Sequence, residues 1–85
     1  MRVRFSGVDT NLLGGSSEIE LVGNEINDIL EDFGRKFPEA HKTLVQPSGT
    51  LRPFARLYVN GKILHSNVQL KPSDRLEFIQ AVAGG

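Results

Sequence analysis

Apolar and polar positions alternate from the first residue. Met1, Val3 and Phe5 fall on one side of an extended chain, Arg2, Arg4 and Ser6 on the other. A period of two predicts a half-buried strand. DTNLLGGSS follows and reads as a connection, with Leu12 and Leu13 tucked against the core. Alternation resumes in EIELV, where Ile19 and Leu21 point inward and Glu18 and Glu20 outward. Two strands joined this closely predict an antiparallel pair.

The period then changes. In GNEINDILEDFGRKFP, residues Ile26, Ile29, Leu30, Phe33 and Phe37 share one face of a helix. Asn24 is the expected N-cap, because its side-chain oxygen can accept from a first-turn N–H. Acidic Glu25 and Asp28 near the start and basic Arg35 and Lys36 near the end complement the helix dipole. Gly34 weakens the last turn, and Pro38 opposes continuation. EAHKTLVQPSGTLRPF is the least regular stretch, with a turn signal at Pro47-Ser48-Gly49 and a second break at Pro53. ARLYVNGKIL reads as strand, turn, strand, since Asn60-Gly61 suits a type I′ hairpin. After a turn at Pro72-Ser73-Asp74, Leu76 and Phe78 face one side and Glu77 and Ile79 the other.

One amphipathic helix needs one sheet to cover its stripe. The order strand, strand, helix, strand, short strand, strand then places the first and last strands side by side in the middle. The expected fold is α+β: a β-grasp, the ubiquitin-like architecture, with one mixed sheet of four to five strands packed on one main helix. Residues 1–85 are expected to form a single such domain with a flexible Gly-Gly tail.

Composition narrows the function classes. The hydrophobic share of 39% and charged share of 24% describe a globular chain rather than a disordered one. Net charge is zero, which argues against nucleic acid as the main partner. There is no cysteine, so a disulfide framework, a thiolate metal site and a cysteine nucleophile are excluded. MRVRFSGV lacks the apolar run of a signal peptide, and no stretch approaches the roughly 20 apolar residues of a membrane span. A cytoplasmic protein with no membrane partner is expected. LLGGSS is glycine-rich but lacks the lysine and the strand–helix setting of a phosphate loop. His41 and His65 have no companions at catalytic or ligand spacing and are expected at the surface. Lys36, Lys42, Lys62 and Lys71 read as solvated surface.

The chain closes on AVAGG. Two terminal glycines arise by chance at odds of roughly 0.5%. With YVNGKIL after the helix, SDRLEFIQAVAGG at the end and NLLGG after the first strand, the whole chain resembles the prokaryotic ubiquitin-like sulfur carriers of the MoaD/ThiS family. That family includes the small subunit of molybdopterin synthase, the thiamine-pathway carrier and carriers serving cysteine, methionine or tRNA thiolation.

The resemblance implies a mechanism. An E1-like adenylyltransferase of the MoeB/ThiF type adenylates the Gly85 carboxylate with ATP. A sulfur donor such as a sulfurtransferase replaces AMP and leaves a thiocarboxylate. A sulfur-accepting enzyme then takes the sulfur. The chain itself holds no cofactor or metal and has no catalytic residue; it is a protein cosubstrate, at most a non-catalytic small subunit. The residues suit this role. Gly84 and Gly85 let the backbone approach a nucleotide closely. Ala81, Val82 and Ala83 are small and apolar, so they can thread a partner's active-site tunnel. Ile79, Tyr58, Arg56 and Arg4 fall on the sheet face away from the helix and form the candidate docking face. Plain alternatives stand beside three of these readings: Ile79 as an isolated exposed apolar residue, Tyr58 as a partly buried strand tyrosine, and Arg4, with Arg2, as a charge that discourages aggregation.

Two other functions share the same end. A ubiquitin-like modifier joins its activated glycine to lysine instead of sulfur. A molybdopterin synthase small subunit tends to carry apolar residues on the open face of its first strand, where this chain has Arg2, Arg4 and Ser6. HKTLVQPSGTLRPF is also longer than the leanest thiamine-type carriers need. A plain protein-binding domain leaves the glycine tail unexplained.

Overall fold

Val3 and Phe5 are buried while Arg2 and Arg4 are exposed, so the first strand, β1 (Arg2–Ser6), has the two faces its alternation predicts. This is seen in a computed structural model that describes residues 1–81. A 3₁₀ turn (Thr10–Leu13) follows and buries Leu13, with Leu12 packed at its margin. β2 (Glu18–Glu20) returns antiparallel to β1, pairing Val3 with Ile19.

The helix α1 (Ile26–Lys36) starts one residue later than Asn24 capping would require. The N-cap is Glu25. Asp28 supplies the acceptor instead: its Oδ2 takes the backbone N–H groups of Asn24 and Glu25, each at 3.2 Å. Asn67, forty residues on, completes the cap by accepting the Asn27 N–H at 2.9 Å. A long-range side chain does the work that local sequence assigned to Asn24.

Pro38 does not end the helical region. It is the first residue of a second helix, α2 (Pro38–Leu44), because proline at N1 gives up only an N–H that would be unpaired anyway. The segment expected to be irregular therefore begins as helix, and Ala40 and Leu44 are buried. His41 belongs to α2 and is half-buried rather than at the surface. Its ring meets Phe33 edge-on at 5.6 Å and lies against Gly34, where a Cβ would come within 3.2 Å of the imidazole. Gly34 thus allows α1 and α2 to pack closely.

β3 (Ala55–Val59) and β4 (Lys62–Leu64) form the expected hairpin. Asn60 and Gly61 both have positive φ, 52° and 82°, as a type I′ turn requires. β5 (Leu76–Gln80) pairs parallel with β1 and antiparallel with β3. The sheet order is β2-β1-β5-β3-β4, with first and last strands adjacent at its centre. The β-grasp expectation holds, with five strands and a second helix added.

The core lies between α1 and one sheet face. Phe5 stacks on Phe78 with centroids 5.0 Å apart, and Phe33 from α1 closes the cluster at 5.1 Å from Phe5. Each fully buried side chain of this size contributes about 1.5–3 kcal/mol by leaving water. Asp32 is buried too, at 3% exposure. Its carboxylate accepts from the Val22 N–H at 2.9 Å, Arg35 at 2.7 Å and Lys36 at 3.0 Å, which fastens the β2–α1 connection to the helix.

Candidate functional site

The sheet face away from α1 is built by alternation. Val3, Phe5, Ala55, Leu57, Leu76 and Phe78 point to the core, so their neighbours point out. Register then sets which outward residues meet. Arg4 lies opposite Glu77, and Tyr58 opposite Glu77 on the other side. Arg56 and Ser6 both lie opposite Ile79. The four residues expected to dock a partner therefore surround one strand, β5, and occupy two successive rows of the sheet. Ile79 and Tyr58 are half-buried, Arg4 and Arg56 exposed.

The charges on this face are only partly compensated. Glu77 accepts from the Ser6 hydroxyl at 2.8 Å, and Glu20 pairs with the N-terminal amine at 3.2 Å and with Arg2 at 3.6 Å. Among the described residues no carboxylate forms an ion pair with Arg4 or Arg56. Arg56 instead folds back and donates to the carbonyls of Pro53 and Ala55. Ile63, exposed on the edge strand opposite Tyr58, extends the apolar part of the face. Sequence reasoning missed it; the strand alternation after Asn60-Gly61 held the signal.

β5 leads from this face toward the chain end. Gln80 pairs with Ala55, and the Ala81 N–H donates to the Phe54 carbonyl at 2.8 Å. Gly7 packs directly under that end: at φ +77° it brings the backbone so near that a Cβ would strike the Gln80 carbonyl. Phe54 stands beside it at 38% exposure, a large apolar side chain at the tail exit. Neither Gly7 nor Phe54 was singled out from the sequence, because each matters only through a long-range contact with β5. Ala81 is exposed at the exit. The other expected tail residues, Val82, Ala83, Gly84 and Gly85, lie outside the described residues.

Among the described residues no three His, Asp or Glu side chains gather as metal ligands. No helix among them is long and apolar enough to cross a membrane. The face presents an apolar strip of Ile79, Tyr58 and Ile63, flanked by arginines, and leads to Phe54 beside Ala81.

Comparison with known proteins follows the same outline. The model of the ThiS family matches residues 3–85. No curated protein matches the chain. Among solved structures, a chain of the Amycolatopsis orientalis BexX/CysO complex is 25% identical with a TM-score of 0.84, over 99% of this chain and 98% of that one. Urm1 from Trypanosoma brucei is 26% identical with a TM-score of 0.75, over 99% and 93%. The small archaeal modifier protein 1 from Methanosarcina acetivorans shares the fold at 20% identity and a TM-score of 0.80, over 99% and 94%.

Proposed function

The chain belongs to the ThiS family, and from that premise we propose that it is a sulfur carrier whose Gly85 carboxylate is activated and converted to a thiocarboxylate. The observation that carries this reading is the path of β5. One strand runs through the docking face and, one residue later, reaches the tail exit, while the family match continues through Gly85. A partner that grips the face would receive the tail from a fixed direction.

The chemistry explains the parts. A carboxylate is a poor electrophile until one oxygen becomes a leaving group. In the activating partner, of the E1-like adenylyltransferase type, a Gly85 carboxylate oxygen attacks the α-phosphorus of ATP and pyrophosphate departs. Hydrosulfide-level sulfur then attacks the acyl carbon, AMP leaves with the electrons of the broken C–O bond, and loss of the sulfur's proton leaves the thiocarboxylate. Gly84 and Gly85 offer no Cβ to block the nucleotide. Ala81, Val82 and Ala83 enter the partner without carrying charge into a dry site. The chain supplies the acyl group and the docking surface; Ile79, Tyr58, Arg56 and Arg4 hold the partner while the tail is inside. The likeness to a chain of the BexX/CysO complex supports a chain that works in complex with a protein partner.

Intact mass after incubation with ATP, an activating enzyme and a sulfur source tests this reading. A gain equal to one oxygen exchanged for sulfur, lost when Gly85 is deleted, is the expected result. Lysine conjugates of higher mass without that gain would make the chain a modifier instead.

A further inference from the structure

Arg52 and Arg56 form no ion pair with any carboxylate among the described residues. Neither is loose. Arg52 Nε donates to the Lys42 carbonyl at 2.9 Å, and Arg56 Nη1 donates to the carbonyls of Pro53 and Ala55. A guanidinium carries five N–H donors, so both keep donors to spare in fixed positions.

Both arginines line a cleft of about 720 Å³ between the first turns of α1, the loop before β3 and the end of β4. Its floor is apolar, with Ile26, Leu30, Leu51 and Leu64. His65 also lines the cleft, and among the described residues none that lines it is acidic. Glu25, close by, is already engaged by Asn67 Nδ2 at 2.9 Å. β4 is an edge strand, so nothing of the sheet covers this side.

We propose that this cleft binds an apolar carboxylate: an acyl chain or similar apolar body ending in one anionic head. The volume falls within the range of about 300–1,000 Å³ typical of small-ligand sites, which combine apolar walls with a few placed polar groups. The leucines take the body. The guanidiniums take the head, since an arginine meets a carboxylate through two parallel hydrogen bonds. A cationic rim with no acid in the lining selects against cations and against uncharged analogues. The site shares Arg56 with the docking face but takes its apolar lining from α1, the loop before β3 and the end of β4, and it does not depend on activation of Gly85.

The test uses the full chain and octanoate, followed by amide chemical shifts. Saturable shifts at Ile26, Leu30 and Leu64, with Tyr58 and Arg4 unmoved, are expected. Octan-1-ol should bind at least tenfold more weakly. The double variant Arg52→Gln, Arg56→Gln should lose at least tenfold in octanoate affinity with an unchanged fold. Arg52→Lys, Arg56→Lys, which keeps the charge, should recover part of it. Absence of saturable shifts, equal binding of the alcohol, or indifference to both double variants would overturn the proposal. So would octanoate binding that appears only after residues 82–85 are removed, which would assign the cleft to the chain's own end.

Discussion

The Ala81 N–H donates to the Phe54 carbonyl at 2.8 Å, one residue past the end of β5. This bond extends the β3–β5 pairing to the last described residue and fixes the direction in which the chain leaves the sheet. Ala81→Pro removes the donor. The stability loss should be small, about 0.5–1.5 kcal/mol for one net hydrogen bond. The rate of thiocarboxylate formation should fall much further, by up to roughly 10²-fold, because a slightly misplaced reacting group is costly. Chemical denaturation beside single-turnover kinetics separates the two effects; equal proportional losses would mean the exit direction is unimportant.

Ile79 and Tyr58 should act together on docking. Ile79→Ala with Tyr58→Ala is expected to weaken binding to the activating enzyme by more than about 1 kcal/mol, as truncated interface anchors do. Titration calorimetry reads the affinity, and a melting curve confirms that the fold survives. An unchanged affinity would return both to the category of scattered surface residues.

Gly7→Ala should destabilise the protein even though glycine 7 is exposed. A left-handed conformation costs a non-glycine residue about 1–2 kcal/mol, and the collision with the Gln80 carbonyl adds to it. Urea unfolding measures this. The same variant should shift the amide resonances of Gln80 and Ala81 more than those of α1.

Asp32 makes stability sensitive to acid. Arg35 first, then the Val22 N–H and Lys36, hold its carboxyl well below the usual value of 3.8. The folded group is thus more acidic than the unfolded one. Its contribution is present above the unfolded value and is lost as pH falls below about 4 toward the folded value. Asp32→Asn should be less stable at neutral pH, and its stability should change less between pH 4 and pH 2. Unfolding curves across that window decide; parallel pH profiles for both proteins would contradict the assignment.

His41 acts at milder pH. Burial against α1 lowers its pKa from 6.5, so the neutral ring is favoured in the fold. Its contribution is present above about pH 6.5 and declines as pH falls through that value and below. A proton NMR titration should give a midpoint below 6.5, and His41→Phe should remove this part of the pH dependence.

The sheet was legible because β1, β2, β3 and β5 carry their own alternation, and the Asn60-Gly61 turn fixes the β3–β4 register with two residues. The outward sheet face followed from the same alternation, so the positions of Arg4, Arg56, Tyr58 and Ile79 on it could be read before their contacts were known. α2 was hidden because Pro38 reads equally as a stop or as a first turn, and Leu44 and Ala40 make too short a pattern to decide. The cap of α1 was misassigned to Asn24 because the true partners, Asp28 and Asn67, act from inside the helix and from far along the chain. Gly7 and Phe54 were invisible for the same reason: their importance lies in contact with Gln80 and Ala81, which no local window contains. The candidate cleft was equally hidden, since its walls come from three separate segments.

The order β2-β1-β5-β3-β4 gives the middle of the sheet to the strand synthesised last among the five. During translation β1 and β3 emerge long before the strand that must sit between them, so the sheet cannot close while β5 is still inside the ribosome. A nascent chain would therefore expose its docking surface only in pieces. The activating enzyme would recognise finished molecules and pass over incomplete ones, and any later unfolding that withdraws β5 would dismantle the recognition surface and the tail exit in a single event. Quality control would then be inherent in the topology, with no separate inspection step.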